Sequence, residues 1–327
     1  MSAHALPWGR LDERPRGLEP LGAARGPARL WRDFRLKEWV GFTLFHPELY
    51  GSMIIQDAKY LVSAEFYVHE RSSGALHEHA ANTGRTAFAL PRELLFGGTC
   101  RFAASGFELG YRFDTDAGSH RIAVDIATTP KAEAISGELT LDARAASAPL
   151  VVNARLGAHA TMFTHKRIYP VSGALSVGER SYRFDPARDF AVIDEHRSRL
   201  PYRAEWTWGT FALRTDAGDI VGANFAAREQ PPGEEEESCI WVPGAVEPLS
   251  EVTFTPLGSD PLAAWRIASA DGRLDVTFTP EGRKGVLQNF AVVAIDYFQL
   301  YGTYEGTVAG FPVHGVHGVA EHMRMRA

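Results

Sequence analysis

The sequence predicts an all-β protein made of two consecutive antiparallel β-barrels or strongly bent sheets. Three observations predict it. Strand-length apolar runs separated by turn residues recur at close spacing from Trp31 to the end of the chain, the mark of a barrel or sandwich. Aromatic residues make up 11% of the chain and glycines number 31, a composition that leans towards β structure. No rhythm of strand and long helix is present, and no glycine-rich phosphate loop opens a helix, which argues against a nucleotide-binding α/β domain.

The elements follow in order. Residues 1–28 are rich in Pro, Gly and Arg without periodicity and read as an irregular arm, draped over the surface or loosely ordered. Phe34 to His46 alternates large apolar with polar residues, as a half-buried strand does, and Pro47 and Gly51 then mark a turn. Strand runs follow at 52–58, 59–70, 75–80, 96–116, 120–130 and 136–145, with turns at Gly97-Gly98 and Ser105-Gly106. The clearest helical candidate is short, Leu90 to Leu95, where Pro91 can open a turn of helix. The first half closes around 161–170, so a first domain is expected over 29–170 and a second over 171–327. The second holds runs at 173–186, 191–211, 219–226, 238–244, 251–258, 263–280, 286–308 and 311–325, with a tight turn at Ser269 to Gly272.

The 327 residues suit two domains of about 150 each, and 45% hydrophobic with 23% charged content is that of an ordinary soluble protein. A formal net charge of −6 argues against nucleic-acid binding, which needs a clustered basic face. No run of about 18 apolar residues is present to span a bilayer. The first residues lack the apolar core of a secretory signal, and Cys100 and Cys239 read as two reduced thiols; a cytoplasmic protein is expected. His77 and His79 flank Glu78, and His314, His317 and His322 lie near the C-terminus, but no HExxH-type motif gathers zinc ligands. The acidic run Glu234 to Glu237 reads as a solvated loop, since a Ca²⁺ loop alternates its ligands. No GxSxG elbow is present. Neither a metal nor an organic cofactor is expected.

Chemistry concentrates in Ala191 to Phe211, AVIDEHRSRLPYRAEWTWGTF. Asp194 and His196 stand two apart, which points both side chains to one face of a strand, and a carboxyl beside an imidazole shuttles protons near neutral pH. Trp206 and Trp208 repeat the spacing, suiting the mouth of a pocket for an apolar ligand. The other reading of the same residues is a salt-bridged hairpin with core tryptophans. Near the C-terminus Gln299 and Tyr301 share a face, while Glu321 and His322 are consecutive, so only one of them enters a common pocket. These polar groups either meet a bound molecule or stitch the second barrel shut.

The segments DFRLKEW, FDPARDFAVIDEHRSRLPYRAEWTWG, WRI with DGRLDVTFTP, FQLYGTYEG and GVAEH, in that order from about Arg29 to Arg324, resemble the bacterial domain-of-unknown-function family 2804. More distantly the central hairpin resembles the lipocalin-like hydratases and cyclases, the group of carotenoid 1,2-hydratase and tocopherol cyclase. That resemblance implies two lipocalin-like, calycin-type barrels, an apolar substrate, and an acid that protonates an alkene without a cofactor. Asp194 then matches the acid, His196 the histidine, and Trp206 and Trp208 the aromatic strand; Glu195 separates two residues that are adjacent in the hydratase motif. Such an acid must stay protonated at neutral pH, which burial in an apolar pocket achieves, with indoles stabilising the cation. Arg197, Arg199 and Arg203 oppose this if close, so they are expected to point outward or to orient a substrate carboxylate. The expected catalytic set is Asp194 assisted by His196, Tyr202, Glu321 and His322, with Trp206, Trp208, Arg197, Gln299 and Tyr301 holding substrate. The expected function is a cofactor-independent hydratase, cyclase or isomerase acting on a hydrophobic small molecule; the alternative is a non-catalytic lipid or isoprenoid binding protein.

Overall fold

A computed structural model describes residues 6–84, 90–289 and 294–326. Residues 1–5 of the expected arm and 290–293 of the expected run 286–308 lie outside these. The strands are β1 (Gly9–Arg10), β2 (Lys37–His46), β3 (Leu49–Asp57), β4 (Val62–Glu70), β5 (Ala75–Thr83), β6 (Phe96–Ala104), β7 (Phe107–Asp114) and β8 (Ser119–Ile126). Then come β9 (Ile135–Asp142), β10 (Leu150–Arg155), β11 (Thr161–Val177), β12 (Arg180–Phe184), β13 (Phe190–Ser198), β14 (Arg203–Arg214) and β15 (Ile220–Arg228). The last are β16 (Cys239–Val242), β17 (Ala245–Pro248), β18 (Val252–Pro256), β19 (Trp265–Ser269), β20 (Leu274–Asn289), β21 (Ala294–Val308) and β22 (Phe311–Arg326). One helix, α1 (Gly26–Arg35), precedes β2. Among the described residues the protein is all-β apart from this helix.

The chain forms two compact units, Met1–Pro7 with Leu11–Val151 and Met162–Arg199, and Trp8–Arg10 with Val152–Thr161 and Leu200–Ala327. The division therefore falls after Arg199, not at the expected 170/171. That expected boundary lies in the middle of β11, whose first half pairs with β13 up to Pro170 and whose second half pairs with β9 from Val171. Tyr169-Pro170 looks like an ending in sequence, yet the strand only exchanges neighbours there.

In the first unit the strands run β5-β4-β3-β2-β13-β11-β9-β8-β7-β6, all antiparallel to their neighbours. The sheet curls until its edge strands β5 and β6 approach, a nearly closed barrel. Alternation fills the inside. Val40, Phe42 and Leu44 of β2, Phe66 of β4, Phe102 of β6, Phe113 of β7, and Ala191 and Ile193 of β13 meet in one buried cluster. Each large side chain so buried contributes about 1.5–3 kcal/mol. Leu90, Leu94 and Leu95 join this core, but residues 92–95 form a turn and not the expected helix. The helix forms earlier, at Gly26–Arg35, opened by Pro27, so the strand expected from Phe34 starts at Lys37. The expected arm is also tied down, because Leu18 packs on Val151 and Phe163 and Arg14 is buried.

The second unit is a half-barrel ordered β17-β16-β15-β14-β22-β21-β20-β19-β18, again antiparallel throughout. Its core centres on Tyr304, whose ring lies 4.7 Å from Phe211 and 4.6 Å from Phe278 and whose hydroxyl donates to Val319 O at 2.7 Å. That ring rests against Gly318, where a Cβ would meet Tyr304 Cε2 at 2.5 Å and Thr210 O at 2.6 Å. Gly318→Ala is expected to cost about 1–3 kcal/mol by overpacking, read as a lower denaturant midpoint at unchanged slope. The acidic run also departs from a solvated loop. Glu234 pairs with Arg155 and Glu235 with Arg10, both at 3.1 Å, and buried Glu237 pairs with Arg228.

Candidate active site

The pleat of β13 sorts its charged residues onto two faces. Ala191 and Ile193 point into the first barrel's core, so Asp194 and His196 point away from it. Their neighbours are set by register. Lys166 of β11 stands opposite Asp194, Thr164 opposite His196, and on the other side Trp39 of β2 pairs with His196. Directly opposed residues of an antiparallel pair are the ones whose side chains touch. Lys166 Nζ donates to Asp194 Oδ1 at 2.5 Å and Trp39 Nε1 donates to Oδ2 at 3.0 Å. His196 Nε2 lies 3.2 Å from Asp194 Oδ1 and 3.0 Å from Thr164 Oγ1, and Nδ1 lies 3.5 Å from Ser198 Oγ. The Trp39 indole stacks on the imidazole, centroids 4.4 Å apart and planes within 18°. Lys166 is 2% exposed while the Asp194 side chain is 29% exposed, so the carboxylate is more accessible than the ammonium that holds it.

This environment corrects the expected role of Asp194. Burial pushes its carboxyl up, but the Lys166 ammonium and then His196 outweigh that and hold it well below the usual carboxylate range. It is a carboxylate in the resting protein, not a protonated acid.

The alternate residues face the opposite way. Glu195 accepts a bidentate pair from Arg14, at 2.7 and 2.8 Å. Arg197 reaches Glu38 at 3.0 Å and Glu195 at 3.2 Å and donates to the Leu90 and Pro91 carbonyls. Lys59 joins Glu38 and, at 2.7 Å, Asp57. Three carboxylates and three cations thus balance inside the first unit, all of them buried. Arg197 points neither outward nor towards a substrate. It is committed to this network, and its expected place in substrate binding does not hold. Burial also raises the thiol of Cys100 far above its ordinary value, which leaves it inert.

The remaining expected residues belong to the second unit. Glu321 accepts from Trp206 Nε1 at 3.2 Å, Tyr297 Oη at 2.9 Å and Gln299 Nε2 at 3.0 Å. Trp208 and Tyr301 are buried on the same face, Trp208 Nε1 donating to Asn224 at 2.8 Å. His322 turns to the other face of β22, 3.1 Å from Thr207 Oγ1 and with its ring 5.7 Å from Phe298. There it lines a cleft of about 1150 Å³ with Arg203, Arg324 and Leu200; the cleft also takes in Trp206 from the other face, and Asp194 does not contribute to it. Tyr202 lies exposed in the loop before β14. The structure thus brings together Asp194 with His196, and separately Trp206 and Gln299 with Glu321.

The sequence matches the family described as Domain of unknown function (DUF2804) over residues 17–326. The chain belongs to that family. No curated protein matches it. Among solved structures it is similar to an AttH-like protein from Nitrosomonas europaea, with a TM-score of 0.54, 14% identity and coverage of 94% of this chain and 98% of that one. It is also similar to CghA with Sch210972 (TM-score 0.52, 12% identity, 89% and 88% covered) and to kievitone hydratase from Nectria haematococca (0.51, 12%, 97% and 98%). At these identities the likeness establishes a shared fold.

Lys166, Trp39 and Thr164 complete the Asp194–His196 cluster and were not singled out by sequence reasoning. Trp39 lies in the DFRLKEW segment and alternates in phase with the polar positions around it, the one sequence signal that could have marked it.

Proposed function

We propose that this protein is a cofactor-independent enzyme that moves a proton on a hydrophobic small molecule, as a hydratase, cyclase or isomerase, with His196 as the proton carrier. The observation that supports it best is the Asp194–His196 contact on the face away from the core, 3.2 Å long, with the carboxylate held ionised beside Lys166. A fixed carboxylate orients an imidazole and stabilises the imidazolium as it forms, and imidazole is the side chain whose charge ordinarily changes near neutral pH. In hydration the imidazolium gives its proton to one carbon of an activated double bond, water adds to the other, and the proton that water sheds returns to the ring. Isomerisation and cyclisation return the proton in the same way, so no cofactor is consumed. Trp39 supplies an apolar wall against the imidazole, and a desolvated indole face stabilises a passing cation by roughly 2 kcal/mol. The hydratase activity named for one protein of like fold agrees with this class.

A second reading, a non-catalytic lipid or isoprenoid binding protein, is favoured by the 2.5 Å Lys166–Asp194 contact, which satisfies the carboxylate without a substrate. Organic extraction of the purified protein with mass spectrometry of the extract separates the two. The expected result is an apolar compound that, returned to the protein, gains the mass of one water or converts to an isomer of equal mass. A compound that comes back unchanged overturns the enzyme in favour of the binding protein, and a protein that holds no apolar compound overturns both.

A further inference from the structure

Helix α1 has its amphipathicity inverted. Leu30, Trp31 and Phe34 share one face, and Arg29, Arg32, Asp33 and Arg35 occupy the other. A surface helix ordinarily turns its apolar stripe to the core. Here Leu30 is 72%, Trp31 64% and Phe34 48% exposed, while Arg29, Asp33 and Arg35 are the half-buried residues. No residue of the helix is fully buried. The apolar face continues onto the turn after β3, where Tyr60 and Leu61 are 49% and 39% exposed. Trp31 stacks on Phe34 at 6.0 Å and Phe34 lies 6.1 Å from Tyr60, so the three rings form one patch, with Leu30 on the same helix face and Leu61 next to Tyr60 in the chain.

Charge indicates what covers it. Arg25 and Arg32 stand exposed beside the patch and Lys37 sits at its edge, with Asp33 as the one acid between residues 25 and 37, in a chain whose net charge is −6. Lys37 Nζ sits 4.7 Å from the Tyr60 ring centroid. We propose that α1 and the Tyr60-Leu61 turn dock the protein on an anionic lipid bilayer, the helix lying in the interface plane with Leu30, Trp31 and Phe34 in the acyl boundary and the exposed Arg25 and Arg32 among the headgroups. Indole and phenol rings are the side chains that settle at that depth. At 10 residues the helix is about 15 Å long and lies on a bilayer without crossing it. A second copy of the chain is the poorer occupant, because a two-fold contact through this face sets the same arginines against each other.

The docking stands apart from the proposed chemistry, since binding to vesicles needs no turnover. The full chain is sedimented with phosphatidylglycerol vesicles and with phosphatidylcholine vesicles. Binding to the anionic vesicles alone, weakened by added salt, is expected. Leu30→Ser/Trp31→Ser/Phe34→Ser removes it at an unchanged melting temperature. Arg25→Gln and Arg32→Gln, which keep the apolar face, each lower the partition coefficient about fivefold. Failure to bind either vesicle at low salt overturns the proposal, as does equal binding to both. A dimer that the triple serine variant dissociates gives the face to a second copy and overturns it too.

Discussion

His196→Gln is expected to lower turnover by about 10²–10⁴-fold, the usual worth of a positioned acid–base group, with ligand affinity and melting temperature near native. Glutamine offers an amide towards Thr164 and Asp194 but carries no proton that exchanges near neutral pH. The variant's residual rate should therefore lose the pH dependence that an imidazole imposes, which a merely structural histidine would not produce. Full turnover in the variant would remove His196 from the chemistry. Asp194→Asn is a less clean probe. Lys166 is 2% exposed and holds Asp194 at 2.5 Å, so neutralising the carboxylate deprives a buried ammonium of its closest counter-charge and costs roughly 3 kcal/mol or more. An inactive Asp194→Asn protein would mix lost catalysis with lost stability. Comparing the two variants at a temperature well below both transitions separates these effects.

The all-β architecture was legible because alternation with frequent turns is a local signal, and each barrel buries one phase of it. The face shared by Asp194 and His196 was legible for the same reason. Their partners were not. Lys166 and Trp39 meet the pair only because β11 and β2 flank β13 in one particular register, and alternation assigns a side chain to a face without naming its neighbour. The charge state of Asp194 depends on one such neighbour, so the spacing gives its face and not its protonation. Glu195 and Arg197 show the converse. They stand beside Asp194 and His196 in the chain, yet the pleat carries them into the interior, where Arg14 and Glu38 meet them. Helix α1 escaped notice because its apolar residues face outward and it follows a stretch rich in proline and glycine.

Arg14→Met is expected to lower the unfolding free energy of the first unit by about 3 kcal/mol, the cost of removing one partner from a buried ion pair, measured by denaturant titration. Arg14 belongs to the segment that the sequence presents as an irregular arm, yet its guanidinium is 2% exposed and clamps a Glu195 side chain that is fully buried. Methionine fills similar volume but leaves Glu195 to Arg197, 3.2 Å away. The pH dependence fixes the cause. Burial pushes the Glu195 carboxyl up, and Arg14, followed by His165 and Arg197, outweighs that to hold it well below the ordinary range. A group depressed in the folded state stabilises fully above its unfolded value, about 4.3 for glutamate, and loses that contribution as pH falls through the folded value. The difference between native protein and Arg14→Met should therefore be constant near neutrality and shrink below about pH 4.3. A difference that is absent at neutral pH would mean the arm does not hold Glu195, and one that persists unchanged into strong acid would assign the loss to packing of the arginine stem instead of its charge.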